Sequence, residues 1–484
     1  MNHSVFISAY LRGCVCLALE VQSKTDYERK IFFMNQFEQF VGIDVSQKKH
    51  DFCAMNKEQR ILIKKKTFDN TLQGYQKFIN SICAIQPDKS KILFGMEVTG
   101  IYGNNLYERL LADGFNAIMI KTESVSNYRD YKNLPKNDKI DARLIAEILA
   151  RGEAAVVSPL KKEYAELRAL TRRRACLKNT LTQERNRFLA RINVYFPDLL
   201  DVFKTGYSTI KAIFSTYSTP YSIINADFYE LVSVISVASR NHYGEEKAKQ
   251  LVEAASNSIA VKETISDEDK FIVMSLLDSI NYLDQQIKEL DKLIDKKASQ
   301  FPHYKMLLTF TGCGKATAAV IVAELGDISR FHKATQIVKF AGLYNDTDTS
   351  GSSVNSRHKQ SKKGSRELRH ALYLVAEFAR RNNPIFKDYF TRKKNGDRKR
   401  HVLAVNAVAN KICAILFSIM KNESVYVIKY RDLAKLPEET RNEFFQHAET
   451  DFSARTRKRI YHYEDMNGEV HEFVYSAKQN ELIE

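Results

Sequence analysis

The chain has 484 residues, long enough for several domains with buried cores, and a formal net charge of +16. The surplus of 74 Lys and Arg over 58 Asp and Glu is high for an ordinary enzyme and favours a polyanionic partner, nucleic acid or an anionic membrane surface. No apolar run is expected to span a bilayer. The start lacks a basic n-region and is interrupted by Arg12. The seven cysteines contain no C-x-x-C pair, which fits a reduced, cytoplasmic setting without a thiolate metal site.

Residues 1–34 stand apart as an N-terminal extension, because Met34 comes just before the first well-patterned strand, "QFVGIDVS". "HDFCAMN" and "RILIKKKTF" follow as two more strands, and "LQGYQKFINSICAI" has helical spacing. "KILFGMEVTG" is a strand ending in Glu97, "NNLYERLLADG" a helix closed by Gly114, and "NAIMIKT" another strand. Three strands, a helix and further alternation predict a mixed α/β sheet. Residues 160–196 and 266–297 have a different character. In the second, Val273, Leu276, Ile280, Leu283, Ile287, Leu290 and Ile294 step by three and four as a heptad seam, with Ser266 as its N-cap. In the first, Leu170, Leu177, Leu181, Phe188 and Tyr195 fit, while Arg174 and Glu184 intrude. The two can pair within the chain or between subunits; the coiled-coil pattern favours assembly of subunits.

From residue 301 a third unit begins. "MLLTFTGCGKATAAVIVAEL" places a Gly-x-Gly turn, Gly312 and Gly314, before a helix opened by Lys315. Such a turn can offer backbone N–H groups to a phosphate, or can simply be a tight turn between packed helices. "TDTSGSSVNSRHKQSKKG", residues 347–364, carries seven hydroxyl side chains and four lysines or arginines and no leucine, isoleucine or phenylalanine, so it is a loop rather than a core segment. Two apolar helices follow, and near the end Asn467-Gly468 between alternating runs predicts a hairpin.

Asp44 ends the first strand, Glu97 ends a later one, and Asp138 and Asp141 lie three apart at a helix start in "KNDKIDARLIAEIL". Each alone is also what a turn former or an N-cap looks like. Four carboxylates held together would resist ionisation unless a hard cation sat between them, which makes Mg²⁺ and phosphoryl transfer the chemistry to expect.

"VGIDVSQKKHDF", "MEVTGIYGNNLYERLLADGFNAIMI" and "KNDKIDARLIAEIL" resemble the RuvC-like domain of the DEDD insertion-sequence transposases, the "one-ten" family with its Piv/MooV-type invertase relatives. "LLTFTGCGKATAAVIVAELGDISRFHKATQIVKFAGL", "TSG" and "KKGSRELRHALYLVA" resemble the family's C-terminal transposase domain, in the right order. Thr311 stands where the family often has proline, and "AGLYND" lacks the proline that usually follows soon after.

The resemblance implies an α/β plus all-α fold. Its parts are a RuvC/RNase H-like mixed-sheet domain over 35–155, a helical coiled-coil region over 156–300, a mostly helical transposase domain over 301–422 and a charged extension over 423–484. It implies that Asp44, Glu97, Asp138 and Asp141 bind Mg²⁺ and that Ser350 is the nucleophile. It also implies DNA ends and target as substrate, a structured bridge RNA as guide, and a homodimer or homotetramer. Gly312, Gly314, Lys315, Arg357, Lys359, Lys362, Lys363, Arg366 and Arg369 are the expected nucleic-acid contacts, supported by further basic runs at Arg172–Arg174 and Arg392–Arg400. Tyr128 and Tyr131, near the paired aspartates, can stack on bases and can as easily be core residues. A hydrolytic junction nuclease and a non-catalytic basic scaffold are the alternatives.

Overall fold

The computed structural model describes residues 36–97, 102–135, 138–157, 160–203, 206–260, 263–344, 361–396, 400–442 and 459–475. The chain divides into two compact units, Met1–Pro159 and Leu160–Glu484.

The first unit is built on a sheet of strands β1 (Gln39–Val45), β2 (Lys49–Asn56), β3 (Ile61–Asp69), β4 (Ile92–Glu97), β5 (Asn116–Ile120) and the short β6 (Val156–Val157). Their order is β3-β2-β1-β4-β5-β6. β1, β2 and β3 form an antiparallel meander, β4 and β5 run parallel to β1, and β6 returns antiparallel. Helices cover both faces. Helices α1 (Leu72–Cys83) and α2 (Asn104–Ala112) bring Tyr75, Phe78, Ile82, Leu106 and Leu110 onto one face, against Val41, Ile43, Phe94 and Met96. Helices α3 (Thr122–Tyr131) and α4 (Asp138–Ala150) bring Val125, Tyr128, Leu144, Ile148 and Leu149 onto the other, against Phe40 and Leu93. Burial on both faces explains why β1 and β4 are nearly continuous apolar runs. β3 is an edge strand, and the exposed Lys64, Lys65 and Lys66 discourage further strand pairing there.

The two glycines of the central strands let α4 lie directly on the sheet. A Cβ on Gly42 would sit 2.2 Å from the Ala142 carbonyl oxygen and 2.4 Å from the Ala146 nitrogen, and one on Gly95 would sit 2.6 Å from Leu149 Cδ1. Ala142 and Ala146, small on the helix side, complete this backbone-to-backbone contact and pack on Cys53 and Met55 of β2.

The second unit is mostly helical. Helices α5 (Lys162–Tyr195) and α11 (Asp267–Ala298) are each about 50 Å long. They run antiparallel, stitched by Glu166–Lys297 (2.6 Å), Arg174–Asp291 and Arg185–Asp284 (2.8 Å). The heptad seam is buried inside this one chain: Val273, Leu277, Ile280, Leu283, Ile287, Leu290 and Ile294 all lie in its core. This corrects two expectations. The seam does not present itself to another subunit, and Leu277 rather than Leu276 takes the second seam position. Leu276 is only partly buried, because a step of four from Val273 keeps the stripe on the α5 side. The intruding Arg174 is the partner of Asp291.

Short helices α6 (Asp198–Phe203), α7 (Tyr207–Thr216), α8 (Pro220–Ile224), α9 (Phe228–Ser239) and α10 (Glu245–Ser256) lie between the long pair in sequence and add Phe203, Phe214, Leu231 and Leu251 to the core. After α11 come α12 (Pro302–Leu308), α13 (Lys315–Leu325), α14 (Ala334–Ala341), α15 (Arg366–Asn382), α16 (Pro384–Thr391), α17 (His401–Lys421), β7 (Val427–Ile428) and α18 (Tyr430–Leu433). Against expectation, α17 has the length and apolarity of a membrane span. Its Val405, Val408, Ile412, Leu416 and Ile419 are buried in the core of this unit, which accounts for that composition. The expected hairpin forms β8 (Arg459–Glu464) and β9 (Val470–Tyr475), with β7 pairing parallel to β8. Its turn is longer than a two-residue Asn-Gly turn: Asp465 Oδ1 accepts from the N–H groups of Asn467 and Glu469.

Candidate functional site

Strand periodicity decides where the carboxylates point, since alternate residues share a face. Gly42 meets α4 and Ile43 faces the opposite core, so Asp44 belongs to the α4 face. In β4 the same alternation puts Leu93, Gly95 and Glu97 on the α4 face, with Phe94 and Met96 opposite. β1 and β4 are parallel and in register at Gly42↔Gly95 and Ile43↔Met96, so Asp44 and Glu97 occupy the carboxyl ends of neighbouring strands. Carboxyl ends of parallel strands are where open α/β sheets place their ligands.

Asp138 is the first residue of α4, and Asp141 directly precedes Ala142, whose carbonyl rests on Gly42. The Gly42–Ala142 contact therefore fixes the helix that carries both aspartates against the strand that carries Asp44. Asp141 is 8% exposed, and its Oδ1 accepts from Arg129 Nη2 at 2.7 Å. Among the described residues, the group of three potential metal ligands within 4.8 Å of one another is Asp465, Glu469 and His471. Asp44, Glu97 and Asp141 share a face but are not drawn that close.

Several participants were not singled out from the sequence. Asp51 stands opposite Asp44 in register, on the same face, but its carboxylate accepts from Thr67 Oγ1 at 2.5 Å and pairs with Lys65. His50 is turned to the other face, against Phe68, so it is not aimed at Asp44; burial lowers its pKa. Glu147 is buried on α4. Burial alone would raise its carboxyl, but hydrogen bonds from Lys132 and Arg143 outweigh that and hold it below the usual range. Tyr128 is not free for stacking on bases: it is 7% exposed, and its hydroxyl donates to Glu147 Oε2 at 3.3 Å. Tyr131 is 77% exposed.

In the second unit, Ser350, Arg357 and Lys359 lie outside the described residues. The stem of their loop is described. The N–H of Ser361 donates to the Tyr344 carbonyl at 3.0 Å, and that of Ser365 to the Phe340 carbonyl at 2.8 Å. Arg369 Nη1 donates to the carbonyls of Ala341 and Lys362, so this guanidinium serves the stem. Gly342 and Gly364 have positive φ, and a Cβ on Gly364 would meet the Phe340 carbonyl at 2.4 Å. Lys362, Lys363 and Arg366 are exposed beside the stem.

Beneath them lies Glu324, 1% exposed, which no sequence pattern had marked as functional. Arg172 grips both its oxygens at 2.8 and 3.1 Å, Arg168 stands 3.5 Å away, and Ser365 Oγ donates at 3.0 Å. With Arg174 on Asp291, two members of the Arg172–Arg174 run hold intrachain carboxylates. Gly314 is the N-cap of α13, and the φ of +94° at Gly312, with its close approach to the Val375 carbonyl, makes that turn a tight junction on α15. Lys315 pairs with Asp295 at 2.5 Å.

The chain is similar to known proteins along most of its length. A family model for a DEDD-type IS110 transposase matches residues 41–197. A second, "Transposase IS116/IS110/IS902 family", matches residues 304–391. The "Insertion element IS116 uncharacterized 44.8 kDa protein" of Streptomyces clavuligerus is 23% identical over 392 residues, covering 80% of this chain and 96% of that protein. The IS900 insertion-element protein of Mycobacterium paratuberculosis is 23% identical over 397 residues, covering 80% and 96%. The "Pilin gene-inverting protein" of Moraxella bovis is 22% identical over 392 residues, covering 79% and 95%.

Proposed function

The chain belongs to the IS110/IS116/IS902 family of insertion-sequence transposases, and we propose that this DNA recombinase cuts and rejoins strands through the Asp44, Glu97, Asp138 and Asp141 carboxylates and the hydroxyl of Ser350. The observation that carries the reading is the shared face: Asp44 and Glu97 at the carboxyl ends of neighbouring parallel strands, on the side of the sheet where α4, the helix that contains Asp138 and Asp141, packs. The strand order, an antiparallel meander continued by two parallel strands, supports a RuvC/RNase H-like first unit.

The donor set suits a divalent cation of the hard type. Asp44, Glu97, Asp138 and Asp141 supply only carboxylate oxygens, the ligands Mg²⁺ prefers. When bound, such a cation neutralises charge on the phosphoryl group being transferred. Arg129 restrains Asp141, and the Gly42 contact sets the position of α4.

In the second unit, the stem closed by Tyr344–Ser361 and clamped by Arg369 and Glu324 supports presentation of the loop that carries Ser350. The Ser350 Oγ attacks the phosphorus of one phosphodiester. An Oγ–P bond forms as the bond to the departing sugar oxygen breaks; the hydroxyl proton goes to solvent and the departing oxygen takes up a proton. The phosphoserine link keeps the bond energy, so a sugar hydroxyl can reverse the step and rejoin strands. Lys362, Lys363 and Arg366, together with Arg357 and Lys359, hold the backbone phosphates. The net charge of +16 also suits a structured guide RNA, and a homodimer or homotetramer would let the enzyme hold element ends and target together.

The test is to trap the reaction of end-labelled DNA under denaturing conditions and map the modified residue. Wild type should give an adduct at Ser350, and Ser350→Ala should abolish it while Ser352→Ala and Ser353→Ala do not. Metal-dependent cleavage without any adduct would make water the nucleophile and the protein a nuclease.

A further inference from the structure

Between α3 and the C-terminal end of α4 lies a concavity of about 440 Å³ that the chemistry above does not use. It is lined by Ser124, Asn127, Tyr128 and Tyr131 from α3 and its end, and by Ile148, Arg151 and Glu153 from α4 and the turn after it. We propose that this is a nucleobase pocket, in which Tyr131 stacks on one unpaired base of a nucleic-acid strand handled by the enzyme.

The rings make the case. Tyr128 and Tyr131 lie nearly parallel, 27° apart with centroids 6.4 Å from one another. Tyr128 is fixed from below by Glu147, with Lys132 and Arg151 placed over its ring at 5.0 and 5.6 Å. Tyr131 extends this stack into solvent. A large aromatic ring left 77% exposed on a polar helix forgoes burial, and a base has the flat apolar face that would cover it. The rim is not apolar. Ser124, Asn127, Glu153 and Arg151 offer hydroxyl, amide, carboxylate and guanidinium groups, which can pair with the edge of a stacked base. A cation close to the rings also suits the phosphate that accompanies any base. The volume lies within the range of about 300–1,000 Å³ usual for small-ligand sites.

The placement ties the pocket to the carboxylate site. Arg129, two residues before Tyr131 on α3, holds Asp141, and Tyr128 holds Glu147 on the same α4 helix. A base seated on Tyr131 would fix its strand relative to Asp141 through a single short helix. Only an unpaired base exposes its face, so the pocket selects single-stranded or flipped-out nucleotides over duplex.

The proposal rests on the reading of the chain as a nucleic-acid enzyme, and the experiment separates the two. The full-length protein is titrated into single-stranded DNA and single-stranded RNA oligonucleotides, each carrying one 2-aminopurine, and into the matching duplex. Wild type should quench the probe in at least one single strand. Tyr131→Ala should lose the quench and weaken that binding about ten- to a hundredfold, whereas Tyr131→Phe and Tyr131→Trp should keep both. Duplex affinity should be the same in all four proteins. The strand that loses affinity identifies the source of the base as DNA or RNA. Equal single-strand affinity and quench in Tyr131→Ala would overturn this pocket alone. Absence of any nucleic-acid binding by wild type would overturn the functional reading with it.

Discussion

Replacing Gly42 with alanine tests the docking of α4 with a single methyl group. The new Cβ would fall 2.2 Å from the Ala142 carbonyl oxygen, where real contacts stop near 3.0 Å, so the helix must retreat by about 0.8 Å. Both obstacles are backbone atoms, and no rotamer change relieves them. Overpacking of this kind costs about 1–3 kcal/mol, and a displacement near 1 Å of a positioning element costs about a hundredfold in rate. The expected result is a folded enzyme with a modestly lower urea midpoint and DNA cleavage reduced about a hundredfold. Gly103→Ala is the control, since its Cβ would make contacts no closer than 3.6 Å and should change neither. A Gly42→Ala protein that cleaves at the wild-type rate would refute the claim that this contact sets the aspartates of α4 relative to Asp44.

Three further outcomes follow from the packing. Glu324→Ala takes the carboxylate away from Arg172 and Ser365, while Arg168 keeps its bonds to the backbone carbonyls of residues 323 and 324, and should lower stability by about 3 kcal/mol in urea unfolding, with faster amide exchange at Ser361 and Ser365; an unchanged midpoint would mean that the cluster contributes nothing. Leu283→Lys with Ile287→Lys puts charges into an intrachain seam, so the unfolding free energy should fall by several kcal/mol, whereas dissociation into smaller, still folded species would contradict the intrachain pairing. Glu147 has a folded-state pKa held below its ordinary 4.5, so its contribution is complete above that pH and is lost as pH falls through the lowered value. Glu147→Gln should therefore lower stability at neutral pH and flatten the acid limb of the stability curve; a limb as steep as wild type would count against this network.

Much of the first unit was legible because its signals are local. Period-2 alternation and a run such as "FVGIDV" mark a strand buried on both faces, and the Asp at its end is visible without knowing its neighbours. The pairing partners of Asp141 and Asp51 were not legible, because Arg129, Lys65 and Thr67 reach them through sheet and helix packing that leaves no fixed spacing. The heptad spacing located α11 to within a residue at each end. It could not tell an intrachain from an intersubunit seam, since both bury the same stripe, and it missed Leu277 because adjacent leucines at 276 and 277 fit the same pattern. Glu324 had one signal available: a lone carboxylate in "TAAVIVAEL" must be paired if that helix is buried. Its partners, 152 residues away at Arg172 and 41 at Ser365, appear only in the fold. The exposure of Tyr131 and burial of Tyr128, three residues apart, likewise depend on where α3 meets α4.

Divalent-metal-dependent cleavage of DNA by Asp44→Asn, with nucleic-acid binding followed in parallel, goes most directly to the proposed chemistry. The substitution keeps size and hydrogen bonding while removing one charge from the carboxylate face. Strand cleavage and the Ser350 adduct should both disappear, and binding should stay within about twofold of wild type. Cleavage by Asp44→Asn at the wild-type rate would contradict the assignment of these carboxylates to the active site.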